Sequence, residues 1–430
     1  MTALFVAKIL FAITVLVVCI HWAALFFFLR AVRIKSKSHY DRDFQPKTAV
    51  LLALRGDDPF LHRCLEGLLS QSYRNYAVRI IVDHPNDPAL DVVHRFFTDR
   101  KKNNKKNTTN DIDILVVDNH LDTCALKCNS LLAALEKLDP SFEVVVTLDA
   151  DTNPYPDWLG RLVAPLCDPR CAVASGMRWY APSRNNPGTL VRYLWNAAAF
   201  VQMYLYKIPW GGSLAIKRTL FSEHGLSDRW RTSFTDDVSV SKIVDEAEMK
   251  VEYVPTIIML NRETCRLSNF FSWVQRQMLY TKLYHRHWTS ILFQCLLISL
   301  PQLMIFALIF YGIFFKETET ILWATASIVL YWLGVFMALP FMEAGVRQLI
   351  RIDQPQTPSL PIRTLLAAIP MIPLTQCIYT AAVISLFFLR EVDWRGIRYR
   401  ILGDKSIRML HYECFERKDA LPAENDESLH

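Results

Sequence analysis

The 430-residue sequence has few charged residues and no CxxC motif, and each shortage excludes a class of protein. Charged residues make up 21% of the chain and hydrophobic residues 52%, so the chain is too apolar to be disordered or purely water-facing. The ten cysteines include two CxxxC pairs, Cys124/Cys128 and Cys167/Cys171, without the histidine spacing of a zinc site. We therefore interpret the cysteines as reduced thiols and exclude a disulfide-stapled secreted module.

Charge is almost absent from four runs of more than twenty residues. A bilayer core about 30 Å thick needs about 20 apolar helical residues, so runs of this length predict membrane spans. Their lack of ionisable residues argues against an ion or solute transporter and against a polar channel. The predicted spans are 3–29, 289–315, 321–342 and 364–389.

Basic residues predict the orientation of the first span. Arg30, Arg33 and Lys35 follow it directly, whereas only Lys8 precedes its centre. The positive-inside rule therefore places the segment that follows in the cytosol. The apolar run is too long for a signal peptide and lacks a clear small-residue cleavage site, which favours an uncleaved anchor.

The last predicted span conflicts with the same rule. Three crossings after the large domain would place the tail, residues 390–430, outside, although this tail is rich in arginine. Two explanations stay open: Pro370 and Pro373 mark a broken or re-entrant segment, or the rule fails for this chain.

Residues 47–265 alternate short apolar runs with helical patterns. Strands of four to six residues that alternate with helices predict a mostly parallel α/β sheet. Ligands of such sheets bind beyond the carboxyl ends of the strands, so polar residues there are the candidates for chemistry. The predicted strands are 49–54, 78–82, 114–117 and 144–148, with helices at 61–69, 89–97 and 125–138.

Acidic residues follow two of these strands. Asp149 and Asp151 come directly after 144–148, and two carboxylates one residue apart on extended backbone point the same way. Such a pair can hold one hard divalent ion together with a diphosphate, and the alternative is capping of the next helix. Asp83 follows 78–82 and is either a ligand contact or a turn carboxylate.

A third acidic position, Asp236-Asp237, precedes a helical pattern through Val244. The simplest interpretation is an N-cap with acidic residues favoured by the helix dipole. A carboxylate fixed at that point can also act as a general base toward an acceptor hydroxyl.

Two further segments bear on partners. Residues 268–287 form an amphipathic pattern before a predicted span, which indicates either an interfacial helix or a simple stem into the membrane. The polar, low-complexity stretch 100–110 lacks interleaved aromatic residues, so it indicates a surface insertion and no nucleic-acid partner.

The order of these features resembles inverting family 2 glycosyltransferases, which have a Rossmann-like GT-A fold. The order is Asp83, then Asp149-Ala150-Asp151, then Asp236-Asp237, then an aromatic and basic helix before membrane spans. More narrowly, Val82–Val92 is similar to the first-aspartate segment of ceramide glucosyltransferases. Val392–Arg400 is similar to their Trp-Arg-Gly-x-x-Tyr-Arg segment after the last span.

The resemblance implies roles for individual residues. Asp83 would contact the uracil or ribose of a UDP-sugar, and Lys127 would lie near the nucleotide. Asp149 and Asp151 would bind the diphosphate and a divalent metal, Mn²⁺ or Mg²⁺. Asp237 would deprotonate the hydroxyl of a membrane lipid.

The implied activity is transfer of a hexose, with glucose favoured, and inversion to a β-linked glycolipid. Ceramide, diacylglycerol and sterol all stay open as acceptors. The resemblance implies an integral, multi-pass membrane enzyme whose catalytic domain faces the cytosol. Its partners would be the UDP-sugar, the lipid acceptor and the bilayer.

One element departs from the family pattern of Gln or Arg, two residues, then Arg-Trp. Arg276 matches the first position, whereas Leu279 and Tyr280 replace Arg-Trp. Gln275 and Arg286 are candidate replacements. Losing a cation aimed at the leaving diphosphate would cost on the order of a hundredfold in rate.

Two rival functions remain. A processive polysaccharide synthase needs a polar channel, which the apolar spans argue against. A non-catalytic regulator that binds nucleotide sugar or lipid would explain Leu279-Tyr280, but the carboxylates retained at three separated positions count against it.

Overall fold

The computed structural model describes residues 2–36, 41, 43–103, 109, 111–352 and 359–415. Residues 104–108 and 110 of the predicted insertion, and 416–430 of the tail, lie outside this described part. The chain divides into two compact units. The helical unit comprises Met1–Phe44, Arg161–Leu214 and Asp237–Leu389, and the sheet unit comprises Gln45–Gly160, Ala215–Asp236 and Arg390–His430.

The helices and strands alternate through the middle of the chain, as the sequence pattern predicts. The helices are α1 (Ala3–Ser36), α2 (Leu61–Leu68), α3 (Pro88–Lys102), α4 (Leu126–Glu136), α5 (Trp158–Val163), α6 (Pro187–Tyr206), α7 (Thr219–Ser222), α8 (Leu226–Trp230), α9 (Val240–Glu246), α10 (Leu267–Tyr284), α11 (Trp288–Phe315), α12 (Thr318–Ile350), α13 (Ile362–Ala368) and α14 (Met371–Ser385), with a 3₁₀ helix at Ala164–Cys167. The strands are β1 (Thr48–Leu54), β2 (Tyr76–Val82), β3 (Ile112–Val116), β4 (Val144–Leu148), β5 (Cys171–Tyr180), β6 (Ser213–Lys217), β7 (Lys250–Asn261), β8 (Glu391–Trp394), β9 (Ile397–Ile401) and β10 (Ile407–His411).

The sheet unit contains parallel strands in the order β3-β2-β1-β4, followed by β6. Every residue of β4 is buried, as expected for a strand covered on both faces. The register pairs Leu54 with Val82 and Leu52 with Leu148, so the carboxyl ends of β2, β1 and β4 meet at one edge. The parallel-dominated α/β fold predicted from the sequence is confirmed.

The C-terminal part of the sheet unit forms a small antiparallel sheet in the order β10-β9-β8. Arg395 and Gly396 join β8 to β9 with φ of 50° and 82°, the left-handed backbone that a tight two-residue hairpin turn requires. Tyr399 of β9 is fully buried, and its hydroxyl accepts a hydrogen bond from the Leu126 amide at 3.1 Å. The tail segment is therefore built into the sheet unit.

The helical unit contains the long apolar helices. Within the described residues, α1, α11 and α12 are each long and apolar enough to cross a membrane. The α13–α14 pair also passes this test, but it is bent by 52°. Helices thus occupy all four predicted runs, the last one is broken at Pro370, and the crossings themselves stay predictions.

Close helix contacts hold this unit together. Gly334 and Gly345 of α12 face Val18 and Leu29 of α1, where an added Cβ would collide with the neighbouring side chain. Small residues allow membrane helices to approach closely and pack by van der Waals contact. The apolar part of α6 belongs to the same core, in which Phe200 contacts Phe28 of α1 with ring centroids 5.8 Å apart. In the same unit β5 pairs with β7, and β6, through which the unit boundary passes, neighbours β5.

Candidate active site

Charged side chains gather at the carboxyl edge of the sheet unit. Asp83 follows β2 and is 1% exposed. Its Oδ2 accepts a hydrogen bond from Arg55 Nη1 at 2.5 Å and lies 3.3 Å from the Tyr412 hydroxyl. Its Oδ1 is buried without a hydrogen-bond partner among the described residues. A buried carboxylate with one unused oxygen costs free energy unless a ligand donor completes it.

Asp87 organises the backbone beside Asp83. Its Oδ1 accepts hydrogen bonds from the amide of Ala89, where it caps α3, at 2.8 Å and from the amide of Gly56 at 2.9 Å. Burial, and then the neighbouring Asp83, raise the pKa of Asp87 to about 6. Asp87 therefore joins the loop after β1 to the start of α3.

Lys127 links two of the predicted carboxylates. This residue lies in the first turn of α4, and its Nζ donates to Asp149 Oδ1 at 2.8 Å. The same Nζ is 3.1 Å from Asp236 Oδ2, an ion pair without hydrogen-bond geometry. Asp236 is 3% exposed, whereas the Asp149 side chain is 28% exposed. One ammonium group thus offsets two carboxylates that would otherwise repel each other.

Asp151 lies in the turn that follows Asp149. The Asp149 carbonyl accepts hydrogen bonds from the Thr152 hydroxyl at 2.7 Å and the Thr152 amide at 3.3 Å, which fixes this turn. No group of three or more His, Cys, Asp or Glu side chains is placed to hold a metal in the described part of the chain. The two carboxylates still fit Mg²⁺ or Mn²⁺, because such ions often take one or two carboxylates and complete their shell with phosphate oxygens and water.

Asp237 belongs to the helical unit and follows Asp236 directly in the chain. Its Oδ2 accepts a hydrogen bond from the Gly211 amide at 2.8 Å, and its Oδ1 accepts one from the Val238 amide at 2.6 Å. The helix begins only at Val240, so the N-cap interpretation of Asp236-Asp237 is wrong. Two backbone donors instead hold the half-exposed Asp237 carboxylate in one orientation.

The predicted amphipathic helix is α10. Arg276 is half-buried on it, and Leu279 and Tyr280 are 1% and 7% exposed, so these two side chains are packed inside the unit. Gln275 Nε2 donates to Ser385 Oγ at 2.6 Å, which ties α10 to α14. The other candidate replacement, Arg286, pairs with Asp245 at 2.8 Å.

A cavity of about 690 Å³ lies in the helical unit. Residues of α1, α6, α11, α12 and α14 line it, and most are apolar. Gln376 of α14 is one of the polar exceptions: its Nε2 donates to the Tyr331 hydroxyl, while its Oε1 is buried and has no hydrogen-bond partner within the described ranges. The cavity therefore suits a largely apolar ligand that carries a polar group.

The sequence analysis missed three residues at the sheet edge. Arg55 had a signal, because it directly follows a predicted strand. His120 and Tyr412 had none: the Asp83 backbone carbonyl lies 2.8 Å from His120 Nε2 and 3.1 Å from the Tyr412 hydroxyl, and Tyr412 is 329 residues away in sequence. Contacts of that sequence separation are set by the tertiary fold.

Comparison with known proteins identifies the family. A sequence model described as glycosyl transferase family 21 matches residues 7–407, nearly the whole chain. The chain belongs to glycosyl transferase family 21. The resemblance to ceramide glucosyltransferases is thereby confirmed at the level of the family, with family 21 in place of family 2. The search of curated proteins found no match.

Two solved glycosyltransferase structures are similar to this chain. The mannosyltransferase PcManGT of Pyrobaculum calidifontis, in complex with GDP-Man and Mn²⁺, is 18% identical with a TM-score of 0.47. That match covers 88% of this chain and 99% of the mannosyltransferase. GalNAc-T7 with UDP, GalNAc and Mn²⁺ is 14% identical with a TM-score of 0.40, covering 58% of this chain and 50% of that one.

Proposed function

We propose that this family 21 protein transfers a hexose from a nucleotide-sugar donor, UDP-glucose, to a hydroxyl group of a membrane lipid, with inversion at the anomeric carbon. The observation that carries the proposal is the Lys127 ammonium held between Asp149 and Asp236 at the carboxyl edge of the sheet. Parallel α/β sheets bind their ligands at this edge.

Asp83 is the proposed contact for the nucleoside. Its Oδ1, which has no hydrogen-bond partner in the described part of the chain, is an acceptor, and the imide N–H of a uracil is a donor that would complete it. The Arg55 guanidinium orients this carboxylate through its 2.5 Å hydrogen bond.

Asp149 and Asp151 are the proposed metal ligands. A divalent ion bound there would draw charge from the departing diphosphate. Lys127 already provides one cation beside Asp149, so it is suited to neutralise the phosphate oxygens as the charge develops. Arg276 is the proposed second cation, from α10.

Asp237 is the proposed general base. Hydrogen bonds from the Gly211 and Val238 amides fix its carboxylate, so its orientation is set before the acceptor arrives. It accepts the proton of the lipid hydroxyl as the oxygen attacks the anomeric carbon, and the nucleoside diphosphate leaves with the electrons of the broken bond. The configuration at the anomeric carbon is thus inverted in one displacement.

The apolar cavity of the helical unit is the proposed acceptor site. Tyr206 lines this cavity, and Gly211, which donates to Asp237, is only five residues further along the chain. Five residues span at most about 18 Å when fully extended, so the proposed base lies within a lipid's length of the cavity. Ceramide and diacylglycerol both combine acyl chains with a free hydroxyl and fit this description.

We further propose that the sheet unit lies on the cytosolic side and that α13–α14 is re-entrant. Residues before and after the apolar helices contact each other, as Arg408 does with Asp122 at 3.0 Å, so both stretches share one side of a bilayer. The number of crossings between them must then be even, and α11 and α12 supply two. This arrangement also returns the arginines of the tail to the positive side.

Membrane topology can be tested by labelling with a membrane-impermeant maleimide. Glu319 lies in the first turn of α12 and Arg363 in the first turn of α13, and both are exposed. In sealed vesicles with the cytosolic face outward, we expect Arg363→Cys to be labelled and Glu319→Cys to need permeabilisation. Labelling of both without detergent would contradict the proposed topology.

The function is tested by transfer of radiolabelled sugar in membranes that contain the full-length protein. UDP-glucose and UDP-galactose are each supplied with ceramide or diacylglycerol, with and without EDTA. We expect labelled lipid from the wild type and a loss of at least a hundredfold in Asp237→Asn, whose side chain keeps one acceptor oxygen but no proton affinity. Asp113→Asn, an exposed carboxylate on β3, is the matched control.

Each rival has a distinct outcome in this assay. A polymer that retains label after lipid extraction would favour the polysaccharide synthase. Absence of any product from a folded protein that binds UDP would favour the regulator. Product that survives EDTA would remove the metal from the proposal.

A further inference from the structure

The end of the described chain lies on the proposed nucleoside site. Tyr412–Phe415, which we name the C-terminal strap, follows β10 in the sheet unit. The Glu413 carbonyl accepts a hydrogen bond from Arg55 Nη2 at 2.8 Å, and Cys414 Sγ lies 3.1 Å from His84 Nδ1. The Phe415 ring packs against Gly56, in the space that a Cβ would occupy.

Tyr412 makes the most specific contacts of the strap. Its ring stacks on His120 with centroids 3.9 Å apart and planes 17° apart, and the Arg55 guanidinium lies 5.8 Å from its centroid. Its hydroxyl lies 3.1 Å from the Asp83 carbonyl and 3.3 Å from Asp83 Oδ2. The Tyr412 ring is thus stacked on one face, and the hydroxyl at its edge contacts Asp83.

Proteins recognise an unpaired nucleobase in the same way, by stacking on an aromatic side chain and by hydrogen bonds to its edge. Asp83 is 1% exposed, so no ligand atom reaches its carboxylate while the present cover is in place. Arg55 is hydrogen-bonded to Asp83 of the sheet edge, and the strap contacts this edge through the hydrogen bond of the Glu413 carbonyl and the contact of Cys414 with His84.

We propose that Tyr412 is an internal mimic of the nucleobase: the strap occupies the base subsite and leaves it when the nucleotide sugar binds. This inference rests on the proposed function, because it takes Asp83 as the nucleoside contact. The apparent Kd of the donor then equals its Kd for the open form divided by the fraction of molecules whose strap is open. Ligands that lack a base do not compete with the strap.

Calorimetric titration of the full-length protein in nanodiscs with UDP and, separately, with inorganic pyrophosphate tests the mimic. Tyr412→Ala removes the competing ring, and we expect the Kd of UDP to fall by roughly tenfold while that of pyrophosphate is unchanged. Tyr412→Phe keeps the ring but loses the hydroxyl, so an intermediate decrease is expected. Leu410→Ala, which truncates an exposed side chain on β10 just before the strap, is the matched control.

A second readout follows the strap directly and needs no variant. Cys414 leaves His84 when the strap opens, so saturating UDP should increase its rate of alkylation, measured by mass spectrometry of its peptide. Cys167 is exposed and outside the sheet unit, and its rate should stay constant. Alkylation of Cys414 that UDP slows would overturn the proposal.

The titration separates the two proposals. If UDP binds and Tyr412→Ala weakens it, the ring is a wall of the pocket and the mimic is wrong. If UDP binds all variants equally, the strap does not compete with the nucleotide. The proposed mimic is then wrong, while the proposed function stands. If UDP binds neither the wild type nor Tyr412→Ala, the proposed UDP-sugar function is wrong, and the proposed mimic is wrong with it.

Discussion

The two units differ in how their polar groups are partnered. At the sheet edge, buried carboxylates have cationic partners: Asp83 has Arg55, and Asp236 shares Lys127 with Asp149. In the helical unit the cavity is largely apolar, and the amide oxygen of Gln376 stays unpartnered. Charge is concentrated where a diphosphate would be handled, and it is nearly absent where an acyl chain would lie. Substitutions at the sheet edge and in the cavity should therefore change different kinetic constants.

The largest effect is expected from removing the shared cation. Lys127→Met leaves Asp149 and Asp236 without the ammonium group that they share, and it removes a charge from the proposed diphosphate site. We expect kcat to fall on the order of a hundredfold or more. Lys137→Met, at the exposed end of the same helix, is the control for the loss of a surface lysine.

Thermal unfolding should accompany that measurement. Because Asp236 stays buried without its cation, the substitution also lowers the free energy of unfolding, by about 3–5 kcal/mol. A Lys127→Met protein with unchanged melting temperature and unchanged kcat would show that the ammonium is dispensable.

A smaller effect is expected from filling the cavity. Ala198 of α6 lines it, and Ala198→Trp would occupy space that an acyl chain needs. We expect the KM for the lipid acceptor to rise roughly tenfold with the Kd of UDP unchanged, because the loss of about 1.4 kcal/mol is confined to one substrate. Ala307→Trp, on an exposed part of α11 away from the cavity lining, should change neither constant.

The smallest effect concerns the pH dependence of stability. Burial raises the pKa of Asp87 from 3.8 to about 6, so the folded protein binds this proton more tightly than the unfolded chain does. The contribution to the free energy of unfolding is full at acidic pH and is lost as pH rises through about 6. Asp87→Asn should flatten this slope between these two pKa values, and Asp113→Asn should leave it unchanged.

Much of the sheet unit could be predicted from sequence because its strands are buried on both faces. That burial produces continuous apolar runs such as 144–148, and the acids that follow them mark the functional edge. Pro370 also signalled the observed break between α13 and α14. These features depend on local pattern alone.

Tertiary contacts explain what the sequence could not show. The N-cap interpretation of Asp237 failed because its carboxylate is bound by Gly211, which lies 26 residues earlier in the chain. The Asp83 carboxylate contacts Arg55 and Tyr412, and no sequence periodicity relates these positions. The cavity likewise depends on how five helices meet, which hydrophobic runs do not specify.

The hairpin that closes the sheet unit has a consequence for biosynthesis. Arg55 and Arg395 exchange hydrogen bonds across 340 residues of intervening sequence, which includes all the apolar helices after the first. At about 5–20 residues per second, a ribosome needs roughly 20–70 s to make that stretch. The apolar helices after the first are therefore synthesised before Arg55 can gain its partner Arg395. A chain that stops before β8 would lack the contacts that Arg395 and Tyr412 make with Arg55 and Asp83.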